Sequence, residues 1–347
     1  MTFTEIKPSP IFNPTGKDNK EKRHLWGGDT TNVINLNETR YGWARTIYQT
    51  MREGYWIPQR TDLSQDKLDY VNLIPGERRA LKGILSYLNF LDSVQVANIP
   101  ELSRYITAPE ARMCLAEQTS QEAMHGETYQ YITESIIPEN EQHEVYDFWK
   151  KDLLLNERCE FIASYYQTLA DNPCGETYFM ALIGDYLLEG LLFYQGFLFF
   201  YNLASSQRLA GCAKLIKQIN MDELTHVSLY QKLITEAKTK FSYSEDEITE
   251  LFVNTVEKEI EWTNHIFDGQ ILGVSEASTE AYTKYLANLR LKAIGISAIY
   301  PEVENPYAHL DWADFKGIGK SKAAFFETEV TGYAQPTAVK GWEKLRV

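Results

Sequence analysis

Between residues 75 and 237 the apolar positions recur every three or four residues in long runs, which clusters of Pro, Gly and Asn separate. That is the period of an α-helix with one buried face. Pro75-Gly-Glu-Arg opens such a helix, with Leu81, Ile84, Leu85, Leu88, Leu91 and Asp92 along its stripe and an end near Pro100. Pro109 opens a second, which carries Glu117, Glu122, His125 and Tyr129 and ends near Ile136-Ile137-Pro138. A third is predicted from about Glu141 to Leu169, closed by Asp171-Asn-Pro-Cys-Gly. The stretch Tyr178 to Ala204 is apolar all round, as expected of a helix surrounded by others. Gln207 to Ala237, Glu245 to Phe267 and Ser278 to Gly295 follow as further helices. Upstream, Asn37-Glu-Thr-Arg reads as a helix start running to about Arg52, stopped by Gly54, and Tyr55-Trp56-Ile57-Pro58 reads as a loop.

The pattern divides the chain into three parts. Residues 1–35, with Pro8, Pro10, Pro14, Gly16, Gly27 and Gly28, form an irregular arm. Residues 36–315 form an all-α helical domain. Residues 316–347 have too little helical periodicity to pack on a bundle and read as a flexible tail with aromatic and aliphatic anchors for a partner.

Several charged residues sit on these apolar stripes, where they need partners. Asp92 shares its face with Leu85 and Leu88, so either a twist exposes it or a cation meets it. Glu122 and His125 are three residues apart, as are Glu223 and His226, and that spacing aims both side chains of a pair at one point. A single Glu-x-x-His is a weak signal, expected by chance roughly 0.6 times in such a chain. Its placement carries more. Asp92 stands 30 residues before Glu122, and Glu189, deep in the most apolar stretch, stands 34 before Glu223. The order is carboxylate helix, Glu-x-x-His helix, carboxylate helix, Glu-x-x-His helix, the pattern of ferritin-like bundles that hold two metal ions. Here the first carboxylate is Asp.

Neighbouring residues elaborate this pattern. Asp222 projects about 100° away from Glu223, suited to receive an N–H from a ligand His. Tyr129 lies one turn beyond His125, a core tyrosine or a ring beside a metal. Phe193, Phe197 and Ile219 are placed to wall the site with hydrocarbon. Glu261 and His265 lack so apolar a setting and read as a surface or packing pair.

Composition narrows the function classes. A formal charge of −14 argues against a nucleic-acid-binding surface. Four ligand carboxylates and two divalent ions sum to neutrality, which makes burial of such a site tolerable. Cys114, Cys159, Cys174 and Cys212 lack Cys-x-x-Cys spacing, and reduced thiols suit the cytoplasm. No secretory signal is visible at the N-terminus. Asp185, Glu189 and Gln195 interrupt the one stretch long enough for a membrane span, which argues for a bundle core instead.

Taken together, Leu-Asp92-Ser-Val-Gln, Glu122-x-x-His125-x-x-x-Tyr129, Glu189-Gly-Leu-Leu-Phe193-Tyr and Met-Asp222-Glu223-Leu-Thr-His226 resemble the radical-generating small subunit of class I ribonucleotide reductase. The tail element Phe-Phe-Glu-Thr-Glu-Val-Thr-Gly-Tyr333 is similar to the family's C-terminal pattern. The resemblance spans roughly residues 35 to 335. It implies a ferritin-like bundle, usually a homodimer, in which Asp92, Glu122, His125, Glu189, Glu223 and His226 bind two metal ions, Glu122 and Glu223 bridging them. One imidazole per ion among oxygen ligands fits iron, or manganese, or one of each. Activation by O2 would leave a radical on Tyr129. The implied relay then runs through His125, Asp222 and Trp56 to Tyr333, and on to a large catalytic subunit that reduces ribonucleoside diphosphates. Lys340, Lys344 and Arg346 stand where the family often has an acidic run, leaving Trp342, Leu345 and Val347 as apolar docking anchors. A ferritin-like oxidase with its own substrate, or an iron-storage bundle, would have no use for Tyr129, Trp56 and Tyr333 together.

Overall fold

The computed structural model describes residues 5–310. Eleven α-helices carry the fold among them: α1 Gly42–Glu53, α2 Ser64–Asn72, α3 Pro75–Ser103, α4 Pro109–Ile136, α5 Glu139–Lys151, α6 Leu153–Asp171, α7 Gly175–Leu187, α8 Tyr194–Ser205, α9 Ala210–Ala237, α10 Glu245–Phe267 and α11 Glu276–Ala293. No strand occurs among the described residues, where the only bridge pairs Trp26 with Ile106. The sequence missed α2, whose Asp66 and Asp69 receive the N–H groups of Leu209, Gly211 and Cys212 at the start of α9. Carboxylates there satisfy donors that a helix start leaves free.

Three predicted boundaries move for physical reasons. Residues 36–38 form a separate short 3-10 turn, capped by the Asn35 side chain, and the helix expected from Asn37 begins at Gly42. The long element expected from Glu141 to Leu169 is two helices, because Asp152 leaves the helix and caps α6 with a bond from Leu155 N at 3.2 Å. Asp152 Oδ2 and Arg79 Nη2 each lie 2.8 Å from His265 Nε2, so the partners of His265 are these two rather than Glu261. Pro100 does not end α3, which continues to Ser103.

Around the core, α3 and α4 pack side by side, α7 and α8 run through the centre, and α9 lies against both. Gly196 is what allows α8 to approach α3: a β-carbon there would stand 3.1 Å from Ile84 and Leu88. The Gly175–Ser205 stretch is long and apolar enough to cross a membrane, yet 89% of its apolar window is buried inside the bundle. Between α7 and α8 the chain makes one π turn, Leu188–Leu192. Arg290 Nε donates to the Gly190 carbonyl in that turn at 2.9 Å, satisfying an acceptor that the wider turn releases. The N-terminal segment is irregular but fastened: Arg23 pairs with Glu110 at 3.0 Å in a buried bridge, and Leu25 and Trp26 are core residues.

Candidate metal centre

Four elements supply the centre. Asp92 comes from α3, Glu122 and His125 from α4, Glu189 from the π turn, and Glu223 and His226 from α9. All six side chains are fully buried. Their donor atoms form two groups, Asp92, Glu122, His125 and Glu223, and Glu122, Glu189, Glu223 and His226, each with its ligand atoms within 4.8 Å of one another. Glu122 and Glu223 belong to both. One oxygen of each faces His125 Nδ1, Glu122 Oε2 at 3.4 Å and Glu223 Oε1 at 3.1 Å. The other oxygen of each faces His226 Nδ1, Glu122 Oε1 at 3.1 Å and Glu223 Oε2 at 2.8 Å. A carboxylate so divided between two imidazoles has the geometry of a bridge.

Both rings are oriented from behind. His125 Nε2 lies 3.4 Å from Asp222 Oδ2, and His226 Nε2 lies 3.0 Å from Gln121 Oε1. With the Nε2 proton directed at those oxygens, each Nδ1 faces the carboxylates, and an ion that displaces the Nδ1 proton would meet the lone pair that a metal-ligating imidazole offers. The arrangement crosses over, because the residue preceding Glu223 on α9 holds the histidine of α4, and the residue preceding Glu122 on α4 holds the histidine of α9. The sequence analysis found Asp222 by its position and missed Gln121, which occupies the equivalent position.

Burial and neighbouring charges set the protonation of the cluster. Burial, then Glu122, pushes the Asp92 carboxyl well up, and burial with Glu122 and Glu223 does the same to Glu189. Burial opposes the charge on Glu223, but His125 and His226 outweigh it and hold that acid below its usual range. Burial opposes charge on His125 too, and Glu223, Asp222 and Glu122 together raise it well above an ordinary imidazole.

Asp92 Oδ1 and Oδ2, Glu122 Oε2, His125 Nδ1 and Glu223 Oε1 are buried without a hydrogen-bond partner. Leaving such groups unsatisfied costs about 1–3 kcal/mol each. Divalent cations satisfy them, and an oxygen-rich set with one imidazole per ion suits iron or manganese. The residues therefore fit a dinuclear centre.

Tyr129 stands one turn along α4 from His125 and is 1% exposed. Its hydroxyl makes no hydrogen bond of ordinary geometry, although it is close enough to Asp92 for that charge to add to burial in raising its pKa. Phe193 and Phe197 are stacked with centroids 5.6 Å apart, and with Ile219 they are buried in the core. Trp56 is half-buried, donates Nε1–H to Asp222 Oδ2 at 2.8 Å, and stacks on His125 at a centroid distance of 6.2 Å. Tyr333 and the other tail residues lie outside the described residues.

A polar layer that the sequence analysis did not anticipate backs the second half. Gln95 and Gln118 both donate to Glu189 Oε1 at 2.7 Å, and Gln118 also reaches Glu122 Oε1 at 3.3 Å. Gln95, Gln118 and Gln121 are buried glutamines on the ligand-bearing helices, and that combination was the available signal.

Known proteins resemble this chain along most of its length. The ribonucleoside-diphosphate reductase subunit beta of Treponema pallidum is 34% identical over 342 residues, covering 97% of each chain. Its counterpart in Halalkalibacterium halodurans is 33% identical over 348 residues, covering 98% of this chain and 99% of its own. The solved ribonucleotide reductase R2 subunit from Clostridium botulinum superposes with a TM-score of 0.86 at 37% identity, covering 90% of this chain and 100% of that one. The family model for the ribonucleotide reductase small chain matches residues 33–306, and this chain belongs to that family.

Proposed function

We propose that this small subunit of a class I ribonucleoside-diphosphate reductase holds two metal ions on Asp92, Glu122, His125, Glu189, Glu223 and His226, and uses them to store an oxidising equivalent on Tyr129. The observation that carries the reading is the division of Glu122 and Glu223 between the two histidines, with the unbonded Tyr129 hydroxyl one turn away. When bound, the ions supply one-electron oxidation with O2 as terminal oxidant. Tyr129 would give an electron to them and its phenolic proton to the Asp92 carboxylate, whose charge already acts on the hydroxyl. The hydrocarbon of Phe193, Phe197 and Ile219 keeps water from the core and so slows loss of the radical.

Asp222 is the link to the surface. One carboxylate oxygen meets both His125 Nε2 and Trp56 Nε1, so a buried ligand and a half-buried indole share a single acceptor. We assign Trp56 and Tyr333 to the onward path to a large catalytic subunit, where ribonucleotides are reduced. The proposed pair is iron, with manganese or a mixed pair accommodated by the same donors. The four cysteines are free and buried, in keeping with a cytoplasmic home, and the proposed assembly is a homodimer without membrane or nucleic-acid contacts.

The test is electron paramagnetic resonance after addition of ferrous iron and O2. The wild-type chain should show a persistent tyrosyl signal, and Tyr129→Phe should lose it while binding the same metal. The variant should change folding stability by about 1 kcal/mol or less, since the hydroxyl it removes makes no strong bond. Full reductase activity in that variant would refute the role of Tyr129. Tyr333→Phe should keep the Tyr129 radical and affinity for the large subunit but lose turnover, because Phe resists oxidation. Normal turnover there removes Tyr333 from the path.

A further inference from the structure

The centre has a second tyrosine, on its other half. Tyr230 follows His226 by four residues on α9, as Tyr129 follows His125 by four on α4, and that spacing sets each ring one turn from its imidazole. Tyr230 is completely buried, and its hydroxyl makes no hydrogen bond of ordinary geometry. Burial raises the pKa of that hydroxyl, and the charges of Asp185 and then Glu189 add to it.

Asp185 is itself completely buried and belongs to no ligand set. Asn98 Nδ2 donates to its Oδ1 at 2.9 Å, while Oδ2 lacks a partner of ordinary geometry. The hydroxyls of Tyr166 and Tyr230 both approach this carboxylate. Three buried polar groups therefore converge, and neither the bundle's packing nor the Trp56 path uses them. Oxidation of a phenol makes it a strong acid, so the step is easy only where a base within hydrogen-bond reach takes the proton.

We propose that Tyr230 is a second redox-active tyrosine of the centre, oxidised in competition with Tyr129, with the Asp185 carboxylate as the acceptor of its phenolic proton. This rests on the dinuclear reading given above. Tyr230 would give one electron to metal ions held by the six proposed ligands, which, oxidised by O2, would supply the oxidising equivalent. Its O–H bond breaks, a new O–H bond forms on Asp185, and a neutral tyrosyl radical and a carboxylic acid remain. Burial pushes the Asp185 carboxyl up to about 7, which suits a group that must take a proton near neutral pH. Tyr166, whose hydroxyl is also buried, shares the same carboxylate and offers a second phenol to which the oxidising equivalent can pass, which makes the Tyr230 radical transient. Tyr194 provides a contrast. Its pKa also responds to Glu223 and Glu189, but its hydroxyl receives Arg290 Nη2 at 3.0 Å, and a cation there opposes loss of an electron.

The test removes the competitor. Full-length Tyr129→Phe, loaded with ferrous iron and mixed with O2, is freeze-quenched and read by electron paramagnetic resonance. A transient tyrosyl signal is expected, absent in Tyr129→Phe/Tyr230→Phe and retained in Tyr129→Phe/Tyr194→Phe. Asp185→Asn in the Tyr129→Phe background keeps the ring and should lower the yield, which reads the same step should the Tyr230 variant fold or load metal poorly. No tyrosyl signal in Tyr129→Phe, a signal that survives loss of Tyr230, or an undiminished yield with Asp185→Asn would each overturn the proposal. The wild-type signal reports separately on Tyr129, so failure of one reading is distinguishable from failure of the other.

Discussion

The two halves of the centre have the same sequence plan and opposite states of satisfaction. On the His125 half, Asp92 Oδ1 and Oδ2, Glu122 Oε2, His125 Nδ1 and Glu223 Oε1 are all without hydrogen-bond partners. On the His226 half, Glu189 Oε1 takes two glutamine amides, while Glu189 Oε2 and Glu223 Oε2 lie 3.3 Å and 2.8 Å from His226 Nδ1. An ion entering the first half would meet buried groups that make no hydrogen bond of ordinary geometry. An ion entering the second must displace contacts that already exist. The difference teaches that the two proposed ion sites are inequivalent: the first would gain the more from an ion, and the second has more of its shape fixed by hydrogen bonds.

The largest expected effect comes from removing what the halves share. Glu223→Ala takes an oxygen from each donor group and should leave less than about one ion per chain after desalting, with no radical, because truncating one member of a buried charged cluster costs several kcal/mol. Asp92→Ala touches the His125 half alone and should keep about one ion, held by the other four-residue group. Elemental analysis of the two variants measures this. Equal stoichiometry in both would abolish the distinction between the halves.

A smaller effect is expected from the groups behind the histidines. Asp222→Asn keeps the size and one oxygen but loses the charge facing His125 and Trp56, whereas Gln121→Ala frees the His226 ring and leaves Trp56 untouched. Each should weaken metal binding on its own half by roughly 10–100-fold, the usual consequence of losing such a partner. Only Asp222→Asn should also slow turnover when metal is saturating. Equal turnover in the two saturated variants would sever Asp222 from the transfer path.

What the sequence revealed of this asymmetry follows from how each feature is encoded. Helical period and Glu-x-x-His spacing are local, so the long helices and the six proposed ligands could be read from one chain. The orienting role of Asp222 was legible because it adjoins Glu223, and Gln121 has the same adjacency to Glu122 but no charge to draw attention to it. The π turn at Leu188–Leu192 was not legible, since it depends on Arg290 about 100 residues away meeting the Gly190 carbonyl. The break at Asp152 was missed for a similar reason, because its stabilising contacts come from Arg79 and His265, remote in sequence. Asp185 was visible as an interruption of an apolar run, but its companions Asn98, Tyr166 and Tyr230 come from three other helices.

The smallest expected effect concerns that aspartate, which marks the outer edge of the satisfied half. Its folded pKa, about 7, lies above the ordinary 3.8 because burial penalises the anion more than the surrounding hydroxyls and amides favour it. Between those values the folded chain holds a proton that the unfolded chain releases, so its contribution to stability is greatest below about pH 4. That contribution falls as pH rises and levels off above about 7. From pH 5 to pH 7 the decline from this group amounts to about 2 kcal/mol. Asn does not titrate and keeps an acceptor oxygen for Asn98. Asp92 and Glu189 are raised in the same direction, so the informative quantity is the difference between wild type and Asp185→Asn. In urea denaturation of chelator-treated protein, Asp185→Asn should gain on the wild type steadily from pH 5 to pH 7 and hold a constant advantage from pH 7.5 to pH 8.5. A difference independent of pH would mean that Asp185 is ionised throughout, its charge carried by the hydroxyls of Tyr166 and Tyr230, and the satisfied half would then be more strongly hydrogen-bonded than its geometry indicates.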